Sequence, residues 1–195
     1  MTLVNTPTFN SAGYFTFNGS TTRATVTGVG ASYASFTINM FVKPTSNPGP
    51  YNAFMSATQG VLNDYLEGIT WDLGTYSSTS FKVMNLEISR NHGGFYDRDV
   101  MASDIAFSIW TGISLVVDTV SNTFTVYING VQDYSAAYAG TITYFDMINI
   151  GARYYGGAHR GFFTGDIATA MLYNRALEVG EVKQNFNALR GRFGL

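Results

Sequence analysis

Two short stretches of this 195-residue chain bring together side chains that can recognise a sugar. One is Arg153-Tyr154-Tyr155-Gly156-Gly157-Ala158-His159-Arg160, and the other is Asn91-His92-Gly93-Gly94-Phe95-Tyr96. Tyrosine rings offer flat faces for sugar C–H groups, and arginine and histidine offer polar partners for hydroxyls. Tyr154, Tyr155, His159, Arg160, His92 and Tyr96 are therefore the candidate ligand or interface residues. The same residue types are enriched where proteins meet proteins, so each stretch reads equally as an assembly contact or as a hairpin tip.

Other chemistry has weaker footing. Retaining cleavage of a glycosidic bond needs two carboxyl groups about 5–5.5 Å apart. Asp97-Arg98-Asp99 comes nearest, placing two carboxylates on one face of an extended segment, with Arg90 and Arg98 available to neutralise them. A solvated hairpin with local ion pairs accounts for it. His92 and His159 have no Ser or Cys partner nearby in sequence that suggests a triad. No P-loop, dinucleotide fingerprint or His-Glu-x-x-His is present. These patterns assign no catalytic residue, cofactor or defined metal ligand.

Composition narrows the classes. Net charge is −2 with no Lys/Arg cluster, so no footprint for nucleic acid is visible. No apolar run approaches the ~18 residues of a membrane span, and residues 1–10 show neither a basic segment nor an apolar stretch typical of a secretory signal. Cysteine is absent, which removes disulfides, thiolate metal sites and thiol catalysis. Charged residues make up 12%, about half the ~25% usual in globular chains. Thr, Ser, Asn, Gly and Tyr must then form much of the surface, which suits packing against other molecules and leads to an expectation of self-assembly or docking.

Strand candidates at about 14–18, 23–27, 35–43, 53–58, 65–73, 81–89, 95–101, 105–109, 112–118, 123–129, 142–150 and 163–173 are punctuated by Gly, Asn, Pro and Ser. Asn129-Gly130, after the alternating Phe124, Val126 and Ile128, suits a type I′ hairpin turn. One helix is expected over 178–190, with Val182, Phe186 and Leu189 as its apolar stripe. Glu178 and Glu181 sit at its positive end, and Gly191 is placed as its left-handed stop. Asp166 is expected to bond backbone amides near its strand's start. The pattern predicts an all-β, two-sheet antiparallel sandwich with one short C-terminal helix, in a single domain over 1–195. Residues 1–12 are left open between an N-terminal arm and an edge strand.

In order and spacing, these pieces resemble the laminin G-like members of the concanavalin A-like lectin/glucanase jelly rolls. The resemblance rests on Tyr14-Phe15-Thr16-Phe17-Asn18-Gly19, Trp110 before Ile113-Ser114-Leu115-Val116-Val117-Asp118, the Asn129-Gly130 hairpin, Gly165-Asp166-Ile167, Tyr173-Asn174-Arg175-Ala176-Leu177 and the closing helix. It covers roughly residues 14–195 and is poor over 48–104. It implies a Glu-x-Asp-x-Glu array for glycan cleavage, which this chain lacks, so a non-enzymatic protein is expected. It also implies calcium as the one cation to consider. Asp64, Asp72, Asp97, Asp99, Asp104, Asp118, Asp133 and Asp146 form no local ligand cluster, and none is assigned.

The C-terminal stretches, Gln184-Asn185-Phe186-Asn187-Ala188-Leu189 included, are also similar to domains of bacteriophage virion proteins. With a start at Met1 and no export signal, this implies synthesis in a bacterial host's cytoplasm and residence in the virion. The expected function is a virion structural protein, a capsid decoration or a tail or fibre component. Its expected partners are other virion proteins and further copies of itself. The alternative is a carbohydrate-binding adhesion module for host surface glycans.

Overall fold

The computed structural model describes residues 1–46, 51–59, 68–73, 81–82, 84–88, 96–98 and 105–195, with 81–82, 84–88 and 96–98 as backbone. The first third holds β1 (Thr2–Val4), β2 (Thr8–Asn10), β3 (Tyr14–Asn18), β4 (Arg23–Thr27), β5 (Ser32–Tyr33), β6 (Phe36–Pro44) and β7 (Asn52–Thr58). The middle holds β8 (Ile69–Leu73), β9 (Phe81–Lys82), β10 (Met84–Ile88), β11 (Tyr96–Arg98), β12 (Ile105–Ala106), β13 (Thr111–Asp118) and β14 (Thr123–Ile128). Then come β15 (Val131–Ala137), β16 (Thr143–Tyr144), β17 (Met147–Ile150), β18 (Arg153–Tyr155), β19 (Ala158–Arg160), β20 (Thr164–Tyr173) and the helix α1 (Val179–Arg190).

Two seven-stranded sheets carry the fold. The first runs β1-β4-β17-β7-β8-β10-β11 and the second β15-β14-β13-β6-β20-β3-β2, with antiparallel pairing throughout. Their inner faces meet in one apolar core, to which the first contributes Met55, Ala57, Ile69, Trp71 and Leu73, and the second Phe36, Ile38, Met40, Val42, Leu115 and Val126. The period of two along β6 explains both of its faces: Ile38, Met40 and Val42 enter that core, and Thr37, Asn39 and Phe41 turn to the other side. There α1 covers them. Val182 is fully buried, and Phe186 stacks on Phe41 with ring centroids 5.9 Å apart.

Residues 1–12 resolve into edge strands: β1 borders the first sheet and β2 the second. Region 142–150, expected as one strand, divides at Phe145 and Asp146, whose amides bond Ala31 and Thr58 carbonyls. Strand 105–109 ends at Ala106, because Ser108 takes a turn conformation at φ 63°. Gly191 is not the left-handed stop. It stays right-handed and opens a 3₁₀ turn (Gly191–Phe193) that carries Phe193 onto Trp110, and Gly194 takes the left-handed position at φ 73°. Asp166 does not serve backbone amides as expected; it pairs with Lys43 at 2.6 Å and accepts the Thr16 hydroxyl at 2.7 Å. Among the described residues, no helix is long and apolar enough to cross a membrane.

Candidate glycan-binding face

The stretch 153–160, expected as a loop, is a tight hairpin of β18 and β19. Gly156 and Gly157 both take positive φ, 60° and 76°, the geometry of a two-residue type I′ turn, whose backbone twist matches that of the flanking strands. Its register pairs Arg153 with Arg160, Tyr154 with His159, and Tyr155 with Ala158. Alternation therefore divides the candidates between two faces. Tyr154 and His159 share one, their rings edge to face at 5.0 Å. On the other, the buried Arg153 places its guanidinium over the rings of Tyr155 (5.3 Å) and Tyr51 (5.1 Å). Cation–π contact holds these two half-exposed rings beside the hairpin.

The hairpin is anchored to the first sheet. Ala53 donates its amide to the Gly161 carbonyl at 2.8 Å, and Gly151 donates to Phe54 at 2.9 Å. Gly161, at φ 53°, passes so close to Tyr51 that a Cβ there would overlap its carbonyl oxygen. That close approach is why the hairpin leaves the sheet at a glycine.

Beneath the hairpin, the first sheet carries a row of polar residues, one per strand. Successive registers align Thr25 of β4 with Asn149 of β17, Ser56 of β7, Thr70 of β8, Glu87 of β10 and Asp97 of β11. Asn149, Ser56 and Thr70 have no exposed surface. Polar groups so buried need partners, and at the hairpin end they have them. Thr25 donates its hydroxyl to Asn149 Oδ1 at 3.1 Å, and His159 Nε2 lies 3.0 Å from the same oxygen. Asn149 Nδ2 reaches Ser56 Oγ at 3.4 Å, and Ser56 donates to the Ala152 carbonyl at 3.2 Å.

The network fixes the histidine's state. Asn149 Oδ1 can only accept, so Nε2 of His159 carries the proton and Nδ1 keeps its lone pair. Burial, reinforced by the charge of Arg23, pushes the His159 pKa down to about 4, which keeps the ring neutral near pH 7. Burial likewise lowers the pKa of the Arg23 guanidinium.

Of the sequence candidates, Tyr154, Tyr155, His159 and Arg160 come together on this hairpin. His92 lies outside the described residues. Tyr96 opens β11 opposite Ile88, and only its backbone is described. Asp97 stands on the same short strand, in register with Glu87, whereas Asp99 lies outside the described residues. Tyr51, Thr25, Asn149, Ser56 and Arg23 belong to the site but carry no local sequence signal, since only strand pairing makes them neighbours. Among the described residues, no three His, Asp or Glu side chains gather as they would around a metal ion.

The family described as the concanavalin A-like lectin/glucanases superfamily matches residues 17–183. No curated protein sequence matches the chain. Among solved structures, it is similar to a heptameric SAP-like pentraxin from Limulus polyphemus, with TM-score 0.67 and 14% identity over 86% of this chain and 78% of that one. Domain 4 of AbnA, a GH43 extracellular arabinanase from Geobacillus stearothermophilus solved with arabinotriose, gives 0.64 and 20% over 94% and 81%. The binding domain of botulinum neurotoxin DC, solved with SialylT, gives 0.68 and 14%; the match covers 96% of this chain and 46% of that domain, about half its length. At these identities the likeness is one of fold.

Proposed function

We propose that this chain, which belongs to the concanavalin A-like lectin/glucanases superfamily, is a non-enzymatic carbohydrate-binding module that holds a glycan at the β18–β19 hairpin. One observation carries this reading: aromatic rings stand on both faces of the hairpin, one of them beside a neutral hydrogen-bonding network where the hairpin meets the first sheet. Tyr154, Tyr155 and Tyr51 supply ring faces, fixed by His159 and Arg153. The Thr25–Asn149–Ser56 network holds His159 with a bare Nδ1, an acceptor for a sugar hydroxyl. Rings for stacking and pre-oriented polar atoms for hydroxyls are what a saccharide demands. Structural relatives solved with arabinotriose and with SialylT favour this reading over the virion-docking one suggested by the low surface charge.

The non-enzymatic part is tested at two acidic residues of strands β10 and β11. Glu87 and Asp97 stand opposite each other across β10 and β11, at the spacing of cross-strand neighbours. The test is affinity electrophoresis of the purified chain through a panel of polysaccharides, with an assay for reducing ends. Retardation without release of reducing ends is the expected result. Release that disappears in Glu87→Gln would make the chain a hydrolase, and uniform lack of retardation would remove the glycan reading.

A further inference from the structure

Among the described residues, Arg23 is a cation without a counter-ion on this face. It opens β4, two residues before Thr25 and so on the same side of the sheet as the Thr25–Asn149–His159 network. Its Nε is buried and has no hydrogen-bond partner among the described residues. It forms no ion pair there either, and its charge helps to lower the pKa of a neighbouring base, His159.

A part-buried guanidinium ordinarily finds an acceptor, because desolvating it without one is costly. The chain could have covered this site with a neutral side chain, as it does with Thr25 one alternation further on. We infer that Arg23 receives the carboxylate of an acidic sugar, so that the glycan bound at the hairpin is a uronate- or sialate-bearing one. The inference rests on the glycan-binding reading and narrows its ligand class. With Nε enclosed, the stem is held and the terminal Nη edge is left for a ligand. That planar pair of donors matches the two oxygens of a carboxylate. The Tyr154 ring and the acceptor at His159 Nδ1, on the same face, then serve the uncharged part of the sugar.

The experiment is calorimetric titration of the full chain, at low salt, with 3′-sialyllactose, trigalacturonate, lactose and arabinotriose. Sialyllactose or trigalacturonate is expected to bind about tenfold or more tightly than the neutral sugars, as one charge-assisted contact allows. Whichever acid binds identifies the source of the carboxylate. Arg23→Gln should bring the acidic ligand down to neutral affinity, Arg23→Lys should lose part of the preference, and raised NaCl should erode it. If Arg23→Gln fails to fold, Arg23→Lys and the salt dependence of the wild type carry the comparison. Equal affinity for acidic and neutral sugars, or a preference unchanged in these variants, overturns the inference and leaves the glycan reading standing. Binding of none of the four overturns both.

Discussion

His159 Nε2 lies 3.0 Å from Asn149 Oδ1, a contact that ties the hairpin to the centre of the first sheet's polar row. It has a pH signature. The folded pKa of about 4 is below the ordinary 6.5, so the unfolded chain takes up the proton first on acidification. Stability from this group is therefore complete above pH 6.5 and declines as pH falls toward 4. Thermal melts of the wild type should show this decline, and His159→Asn should flatten it. Parallel profiles for the two proteins would mean that the histidine is not held neutral.

Gly161 sets where the hairpin leaves the sheet. At φ 53°, with the Tyr51 carbonyl in the path of any Cβ, Gly161→Ala must displace either the hairpin or Tyr51. The expected cost is about 2–3 kcal/mol of stability, with loss of saccharide binding, read by denaturant unfolding and titration. Gly156→Ala makes the control: it has positive φ as well, but the nearest atom a Cβ would meet is 3.9 Å away, so its effect should be smaller.

Much of the architecture was legible in the sequence. Alternation in Phe124, Val126 and Ile128 and the Asn129-Gly130 turn, whose φ values are 52° and 75°, are local properties, and both appear as expected. The helix follows from its Val182, Phe186 and Leu189 stripe. Its stop was misplaced because Phe193 packs against Trp110 and Phe41, a tertiary preference that outweighs the local one for Gly191. The site was half legible. Two tyrosines, a histidine and two arginines in eight residues advertise themselves. Asn149 looked like one polar residue in a strand, and Arg23 like part of another. Their roles depend on which strand pairs with which, and long-range pairing leaves no mark in a local window.

Thr37 shows the same long-range dependence. Its hydroxyl donates to the Arg175 carbonyl at 2.9 Å and accepts the Leu177 amide at 2.9 Å, clamping the approach to α1 onto β6. Thr37→Val keeps the shape and removes the partner of the buried Leu177 amide and of the part-buried Arg175 carbonyl. A loss of about 2–4 kcal/mol is expected from chemical denaturation. A change below ~0.5 kcal/mol would show the clamp to be incidental.

At the helix start, Arg175 grips Glu181 with two contacts, 2.6 and 2.8 Å, and Glu181 also accepts the Glu178 amide at 2.9 Å. The Arg175 contacts first, and then the amide, lower the Glu181 pKa to about 2 from 4.5. Its contribution is present above pH 4.5 and disappears as pH falls through about 2, a window below that of His159. The group is exposed, so the effect should be small and screened by salt. Glu181→Gln should remove the acid-side slope between pH 4.5 and 2 at low ionic strength, measured by circular dichroism. An unchanged slope would place the acid sensitivity elsewhere.

Whether the hairpin rings bind sugar is read from a glycan array probed with the wild type and with a Tyr154→Ala/Tyr155→Ala variant. Tyr155 is 41% exposed, so the variant should keep its fold, confirmed by its melting curve. Loss of two stacking platforms should weaken binding at least tenfold across every glycan the wild type retains. Wild-type signals that survive the double substitution undiminished would show that sugar binds somewhere other than these rings.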